Sequence, residues 1–182
     1  MADRVTSRVV LAAELHQRIM AHLLPAEPVA EEAAFLFARV QDGRAGLSFE
    51  HVELFLVPPE LFHVRSLYRI ELADECRGYV IKRAHDLGAS IIEFHSHPFP
   101  YEAEFSPSDR RGLAEFVPHV RWRLRGRPYG AVVVAPGSFD SLVWNSVSNN
   151  PTEVAVIQVG HEVVFPTGLS IKSWYERDRG EY

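Results

Sequence analysis

The 182-residue chain is poor in cysteine, in lysine and in long apolar runs. Its single cysteine, Cys76, excludes an intramolecular disulfide, and a reducing compartment is the simplest expectation. No apolar stretch approaches the roughly 20 residues that a membrane-spanning helix needs. The run Val9-Val10-Leu11-Ala12-Ala13 is followed at once by Glu14, His16 and Arg18, so it does not read as a secretory signal, and a cytoplasmic protein is expected. Excess positive charge is also lacking: 24 acidic against 19 basic residues leave a net charge of -5, which disfavours nucleic-acid binding. Lysine occurs only at Lys82 and Lys172; genome base composition is the simpler reading of this bias, and escape from a lysine-conjugating system is the functional one. One basic cluster stands out, Arg121, Arg123, Arg125 and Arg127, and reads as a solvated face or turn.

What the chain has is apolar residues, 47% of the total, enough for one compact domain over 1–182. A domain of this size buries roughly 70% of its unfolded surface and needs no disulfide to fold. Residues 9–24 carry Val9, Ala12, Ala13, His16, Ile19, Met20 and Leu23 at helical spacing, with Pro25 just beyond. Ala33 to Val40 reads as a buried strand, followed by a turn at Gln41-Asp42-Gly43 and a second strand from Leu47 to Val57. Ser66 to Leu72 alternates like a third strand. Ala73 to Leu87 suits a helix closed by Gly88, Ala89 to His97 a buried strand that turns polar at its end, and Pro107 to Arg123 a further helix. Strands over 129–135, 141–144, 154–160 and 163–165 complete the pattern. Strands interleaved with two or three helices imply an α+β (mixed α/β) domain with a central sheet flanked by helices.

The chemistry concentrates in Glu93-Phe94-His95-Ser96-His97-Pro98 and Ser106-Pro107-Ser108-Asp109. Side chains two apart on a strand share a face, so His95 and His97 present two imidazoles together, and Pro98 ends the strand. The loop then returns Asp109 as an oxygen ligand. Two nitrogens and one carboxylate oxygen make a three-ligand zinc site with a vacant fourth position. A water placed there has its pKa lowered to about 7. Ser106 and Asp109 also make a good helix start, with serine at N-cap, proline at N1 and an acidic residue at N3. A helix end so capped is a rigid base from which to project a ligand.

This arrangement resembles the JAMM/MPN family of zinc metallopeptidases, also called JAB domains, whose signature is His-x-His-Pro, a loop, then Ser-x-x-Asp, with a glutamate far upstream. Eight residues separate His97 from Ser106, where the family usually has seven. Loop length costs little, and Ser108 is an alternative to Ser106. The upstream glutamate falls on Glu31, before Ala33-Ala34-Phe35-Leu36-Phe37, with Glu32 a rival of opposite parity. Glu93 is a second rival, or a partner orienting an imidazole. The order of elements over about 9–166 is similar to the family's, which implies an MPN/JAB-like domain with cytidine-deaminase-like layering. The charged tail 170–182 lies outside the resemblance.

The resemblance implies Zn2+ held by His95, His97 and Asp109, with Glu31 as general base and Ser106 as oxyanion donor. It implies a zinc metallopeptidase, a deubiquitinase-like isopeptidase cutting after the C-terminal tail of ubiquitin or a ubiquitin-like protein, here in a bacterial ubiquitin-like or sulfur-carrier pathway. The aromatic, acidic loop Phe99 to Phe105 is a candidate contact for such a tail. Two other expectations stand beside it: a non-catalytic MPN scaffold that binds a protein partner, and a RadC-like role near DNA. The complete ligand set argues against the first and the acidic balance against the second. Cys76 and the remaining histidines read as packing or surface residues.

Overall fold

A computed structural model describes residues 7–44, 46–145, 148–152 and 154–176. In chain order the elements are β1 (Ser7–Leu11), α1 (Ala13–Leu23), β2 (Ala33–Gly43), β3 (Gly46–Leu56), β4 (Phe62–Arg65), β5 (Ile70–Leu72), α2 (Asp74–Leu87), β6 (Ser90–Ser96), α3 (Pro107–Arg123), β7 (Tyr129–Ala135), β8 (Ser138–Trp144), β9 (Ala155–Val159), β10 (Glu162–Val164) and α4 (Leu169–Glu176). Eight strands form one sheet in the order β10-β9-β1-β3-β2-β6-β7-β8, and β4 pairs with β5 as a separate hairpin. The architecture is mixed α+β. No described helix is long and apolar enough to cross a membrane.

Strand alternation divides the core in two. Odd positions of β2, Ala33, Phe35 and Phe37, join Ile91 of β6 and Tyr129, Ala131 and Val133 of β7. They pack against Cys76, Val80 and Ala84 of α2, Leu113, Val117 and Val120 of α3, and Ile171 and Trp174 of α4. Even positions, Ala34, Leu36, Ile92, Phe94, Val132 and Val134, pack with Leu15, Ile19 and Leu23 of α1. With both faces covered, β2 is buried without interruption from Ala33 to Ala38, which is why its sequence reads as a continuous apolar run. His95 shares parity with Ile91 and Glu93, and therefore looks toward the side of α2 and α3.

Three expectations need correction. The leading helix does not start at Val9. Val9 and Leu11 belong to β1, which pairs in parallel with both β3 and β9. The helix begins at Ala13 and buries Leu15, Ile19 and Leu23. Extending the helical period back through the strand had rotated the apolar stripe onto Ala12, Ala13 and His16, none of which is buried. Ser66 to Leu72 is not one strand. Its first half is a turn in which the Ser66 hydroxyl accepts from Arg69 N at 3.1 Å and Ser66 N donates to Arg69 O at 2.9 Å, closing the β4–β5 hairpin. The β2–β3 turn comes later than Gln41-Asp42-Gly43, because pairing continues to Gly43 opposite Gly46.

The α-helices number four among the described residues, because α4 occupies the start of the stretch read only as a charged tail. Its Trp174 ring meets Trp144 of β8 edge-on, with centroids 5.6 Å apart. The arginine cluster is not a uniform solvated face. Arg121 donates to the carbonyls of Gly126, Arg127 and Ser148, and Arg127 donates to Ala84 O and Ala89 O at the end of α2. Arg121 thus ties α3 to the turn that follows it and to residue 148, and Arg127 ties that turn to the end of α2 and the residue before β6. Cys76 is fully buried, and burial pushes its thiol up to about 11, as expected of an inert packing residue.

Candidate metal centre

β6 lies between β2 and β7, with His95 opposite Ala33 on one side and Val133 on the other. His97 N donates to Val134 O at 2.8 Å, which carries the extended path one residue past the strand end. The two imidazoles therefore hang side by side from the middle of the sheet. Asp109 arrives from α3, whose start is a full capping box: Asp109 N donates to Ser106 Oγ at 3.1 Å and Ser106 N donates to Asp109 Oδ2 at 2.7 Å.

His95 Nε2 and His97 Nε2 are 3.3 Å apart, and Asp109 Oδ2 is 3.5 Å from the first and 3.2 Å from the second. Ligands about 2.05 Å from a tetrahedral ion lie about 3.3 Å from one another. The observed triangle has those edges. A proton satisfies one pair of such atoms at a time, whereas one cation satisfies all three. His95, His97 and Asp109 form the group among the described residues that can hold a metal ion.

The electrostatics favour positive charge at this point. Burial pushes the Asp109 carboxyl up, but the adjacent His95 and hydrogen bonds from His95, His97 and Ser106 outweigh it and hold the group far below the usual carboxylate range. Burial lowers the His95 imidazole, but Asp109, then Glu93 and Glu31, reverse this and raise it.

Glu31 and Glu32 precede β2, and both are buried. Their parity difference is resolved by what each side chain meets. Glu32 forms a two-point ion pair with Arg65 of β4. Glu31 lines a cavity of about 300 Å³ together with His97, Ser106 and Asp109. Its backbone is pinned: Glu31 N donates to Ser66 O at 2.8 Å, and Glu32 exchanges bonds with Ser96, whose Oγ accepts from Glu32 N at 2.9 Å. Burial raises the Glu31 carboxyl to about 7, with His95 opposing and Asp109 adding to the effect.

Glu93 lies on the other side of the centre, in a cavity of about 410 Å³ that also reaches His95 and Asp109. It accepts a hydrogen bond from the Tyr129 phenol, and its loss of hydration raises its carboxyl. Ser108 is exposed and lines both cavities. Ser106 Oγ accepts from the helix, which leaves its own hydrogen free to donate into the smaller cavity.

Sequence reasoning did not single out Ser96, Arg65 or Tyr129, and it placed Phe105 in a loop expected to contact a substrate tail, whereas the Phe105 side chain is fully buried. Ser96 had a usable signal, since its parity opposite to the histidines turns its hydroxyl away from them. Phe105 packs its ring 5.4 Å from that of His95. Arg65 carried no local signal at all. No family model matches the chain, and no curated protein matches it.

The raised Glu31 carboxyl predicts a pH dependence of folding. Folded metal-free protein binds this proton more tightly than the unfolded chain does, so stability falls as pH rises between 4.5 and about 7. Each unit of that gap is worth about 1.4 kcal/mol. Metal-free Glu31→Gln should therefore exceed the wild type by at most about 3 kcal/mol at pH 8 and match it near pH 4. Urea unfolding at the two pH values measures the difference, and an equal advantage at both would disprove the assignment.

Proposed function

We propose that the chain is a zinc-dependent peptidase of the JAMM/MPN kind, with His95, His97 and Asp109 as metal ligands and Glu31 as general base. The observation that carries this reading is the triangle of ligand atoms, edged like a zinc tetrahedron, beside a buried carboxyl that makes no ion pair among the described residues. Two histidines and a carboxylate are borderline ligands that suit zinc and leave room for an exchangeable group. Zinc, when bound, supplies Lewis acidity and makes water acidic enough to attack a carbonyl near neutral pH.

The chain's own residues supply the rest. Glu31 takes the proton of the attacking water and returns it to the departing amine. A carboxyl raised by burial suits both halves of that exchange. Ser106 donates its hydroxyl hydrogen to the oxygen on which negative charge develops. Ser66 holds the Glu31 backbone, Ser96 holds the backbone of the adjacent Glu32, and Arg65 holds the Glu32 carboxylate.

The substrate is the extended C-terminal tail of a ubiquitin-like protein. The two cavities share Arg69, Ile70, Ser108 and Asp109, so a chain crossing the centre has one flank against Glu31 and the other against Glu93. β5 pairs only with β4 among the described residues, which leaves an edge for an added strand. Tyr68 stacked on Phe99, with Tyr101, rims the smaller cavity. The mixed α+β architecture, with helices on both faces of the sheet, is compatible with the layering of an MPN domain, and the buried thiol of Cys76 accords with a cytoplasmic setting.

The test is hydrolysis of fluorogenic C-terminal amides of several ubiquitin-like proteins, bacterial sulfur carriers included. Zinc-dependent release that stops with a chelator and returns with zinc is expected. Zinc-loaded protein inert on every tail would reject the peptidase reading. Ser106→Ala should lower kcat by about 10²–10³-fold while retaining zinc, and should cost about 1 kcal/mol of stability as an N-cap. Calorimetry and steady-state kinetics separate the two effects.

A further inference from the structure

The loop joining His97 to α3 carries Asp109 to the two imidazoles, yet residues 98–106 contain no helix or strand. A free segment of that length would not hold a carboxylate oxygen in place. Its ordering comes from buried side chains and from hydroxyl groups contributed by Ser138 of β8 and by residues 167–173. Ala103 and Phe105 are almost fully buried. Ala103 N donates to Ser138 Oγ at 2.9 Å, and Ala103 O accepts from Thr167 Oγ1 at 2.7 Å. Phe105 N donates to Ser170 Oγ at 2.9 Å, and Glu104 Oε1 accepts from Ser173 Oγ at 2.5 Å. Three consecutive loop residues are thus held by Thr167, Ser170 and Ser173.

Those hydroxyls are themselves fixed. Asp140 of β8 has no solvent exposure, and its carboxylate accepts from Ser141 N at 2.9 Å, Gly168 N at 2.9 Å and Ser170 N at 2.7 Å. Gly168 has φ 70°, the left-handed conformation that turns its N–H and that of Ser170 onto one carboxylate. Thr167 N donates to Phe139 O at 2.9 Å. Ile171 and Trp174 anchor α4 in the core, so the segment is fastened at both ends. The path runs from Asp140 through Ser170 to Phe105, whose ring packs on His95 and whose neighbour Ser106 caps the helix that bears Asp109.

We propose that Thr167 and Ser170, seated on Asp140, are positioning residues for the metal centre: they hold the loop between His97 and Asp109 so that the carboxylate stays within reach of both imidazoles. The inference rests on the metal-centre reading. It makes the segment after residue 166 part of the site, although none of its side chains touches a ligand atom. Groups that orient metal ligands from behind are worth 10–100-fold in affinity, and loss of these hydroxyls falls at the lower end of that range.

The experiment measures zinc and cobalt affinity by competition with a chromophoric chelator, together with the visible spectrum of the cobalt form. Full-length Thr167→Val, which keeps the shape and loses the hydroxyl, and Ser170→Ala should each bind about 10-fold more weakly, with altered cobalt absorption. Thr167→Ser, which keeps the hydroxyl, should restore wild-type affinity and spectrum. Ser141→Ala is the control for general destabilisation, since the Ser141 hydroxyl bridges Ala155 O and N at 2.8 Å and makes no bond to the loop. It should unfold more readily and bind metal as the wild type does. Wild-type affinity in Thr167→Val and Ser170→Ala, or equal weakening in Ser141→Ala, would overturn the positioning role alone. A wild type that binds neither ion would overturn the metal-centre reading with it.

Discussion

Glu31→Gln should keep zinc and lose turnover by about 10²–10⁴-fold, the usual worth of a positioned general base. The amide fills the same volume and leaves the bonds of the Glu31 and Glu32 backbone to Ser66 and Ser96 intact. It cannot take a proton. Glu31 is not one of the three metal ligands, so zinc content by mass spectrometry should stay at one per chain. The matched control is Glu32→Gln. That change breaks the ion pair with Arg65, in a place shielded from water, and leaves Arg65 short of its partner. It should destabilise the fold while retaining most activity. The reverse outcome, an active Glu31→Gln and an inactive Glu32→Gln, would move the base to the other carboxylate. Activity of the wild type should also fall on the acid side as the base becomes protonated. In the metal-free state burial holds that group near 7; a dication nearby lowers it, so the acid limb should lie below 7.

Asp109→Asn should abolish zinc binding with little harm to the fold. Asp109 has two tasks that the substitution separates. As the N3 residue of α3 it accepts from Ser106 N, a bond that an amide oxygen can also accept. As a ligand it supplies a charged oxygen 3.2 and 3.5 Å from the imidazole nitrogens, which a neutral amide replaces poorly. His97→Ala should have the same effect on zinc, since two remaining ligands make a weak site. Thermal unfolding with and without zinc gives the comparison. Zinc at 100 times its dissociation constant stabilises a binding protein by about 2.7 kcal/mol. The wild type should gain that amount and the two variants nothing. A zinc-induced gain in Asp109→Asn equal to that of the wild type would remove the carboxylate from the ligand set.

How far the sequence foretold this depends on the range of each interaction. The His95 and His97 pair needed only strand alternation, and the start of α3 needed only the local capping pattern Ser106-Pro107-Ser108-Asp109, so both were readable from neighbours in the chain. The buried strand at Ala33 also followed from composition. The choice between Glu31 and Glu32 was not readable, because it turns on Arg65, 33 residues away on another hairpin. β1 reads as helix because Val9 falls at helical spacing with Ala12, Ala13 and His16, while the strand character of Val9 and Leu11 comes from parallel pairing with β3 and β9. The turn between β4 and β5 reads as the start of a strand, and β4 goes unseen, because that turn is held by a serine hydroxyl rather than by glycine or proline. α4 was passed over because its charged, polar sequence hides two anchors, Ile171 and Trp174, that matter only once β8 is in place.

The central claim is that His95, His97 and Asp109 share one divalent ion. X-ray diffraction from crystals of the zinc-loaded protein, collected on both sides of the zinc absorption edge, tests it most directly. The account predicts one anomalous peak per chain, about 2.0–2.2 Å from His95 Nε2, His97 Nε2 and Asp109 Oδ2, with the Glu31 carboxylate on the open side of the ion. No peak there, or a zinc ion held by a different set of side chains, would contradict it.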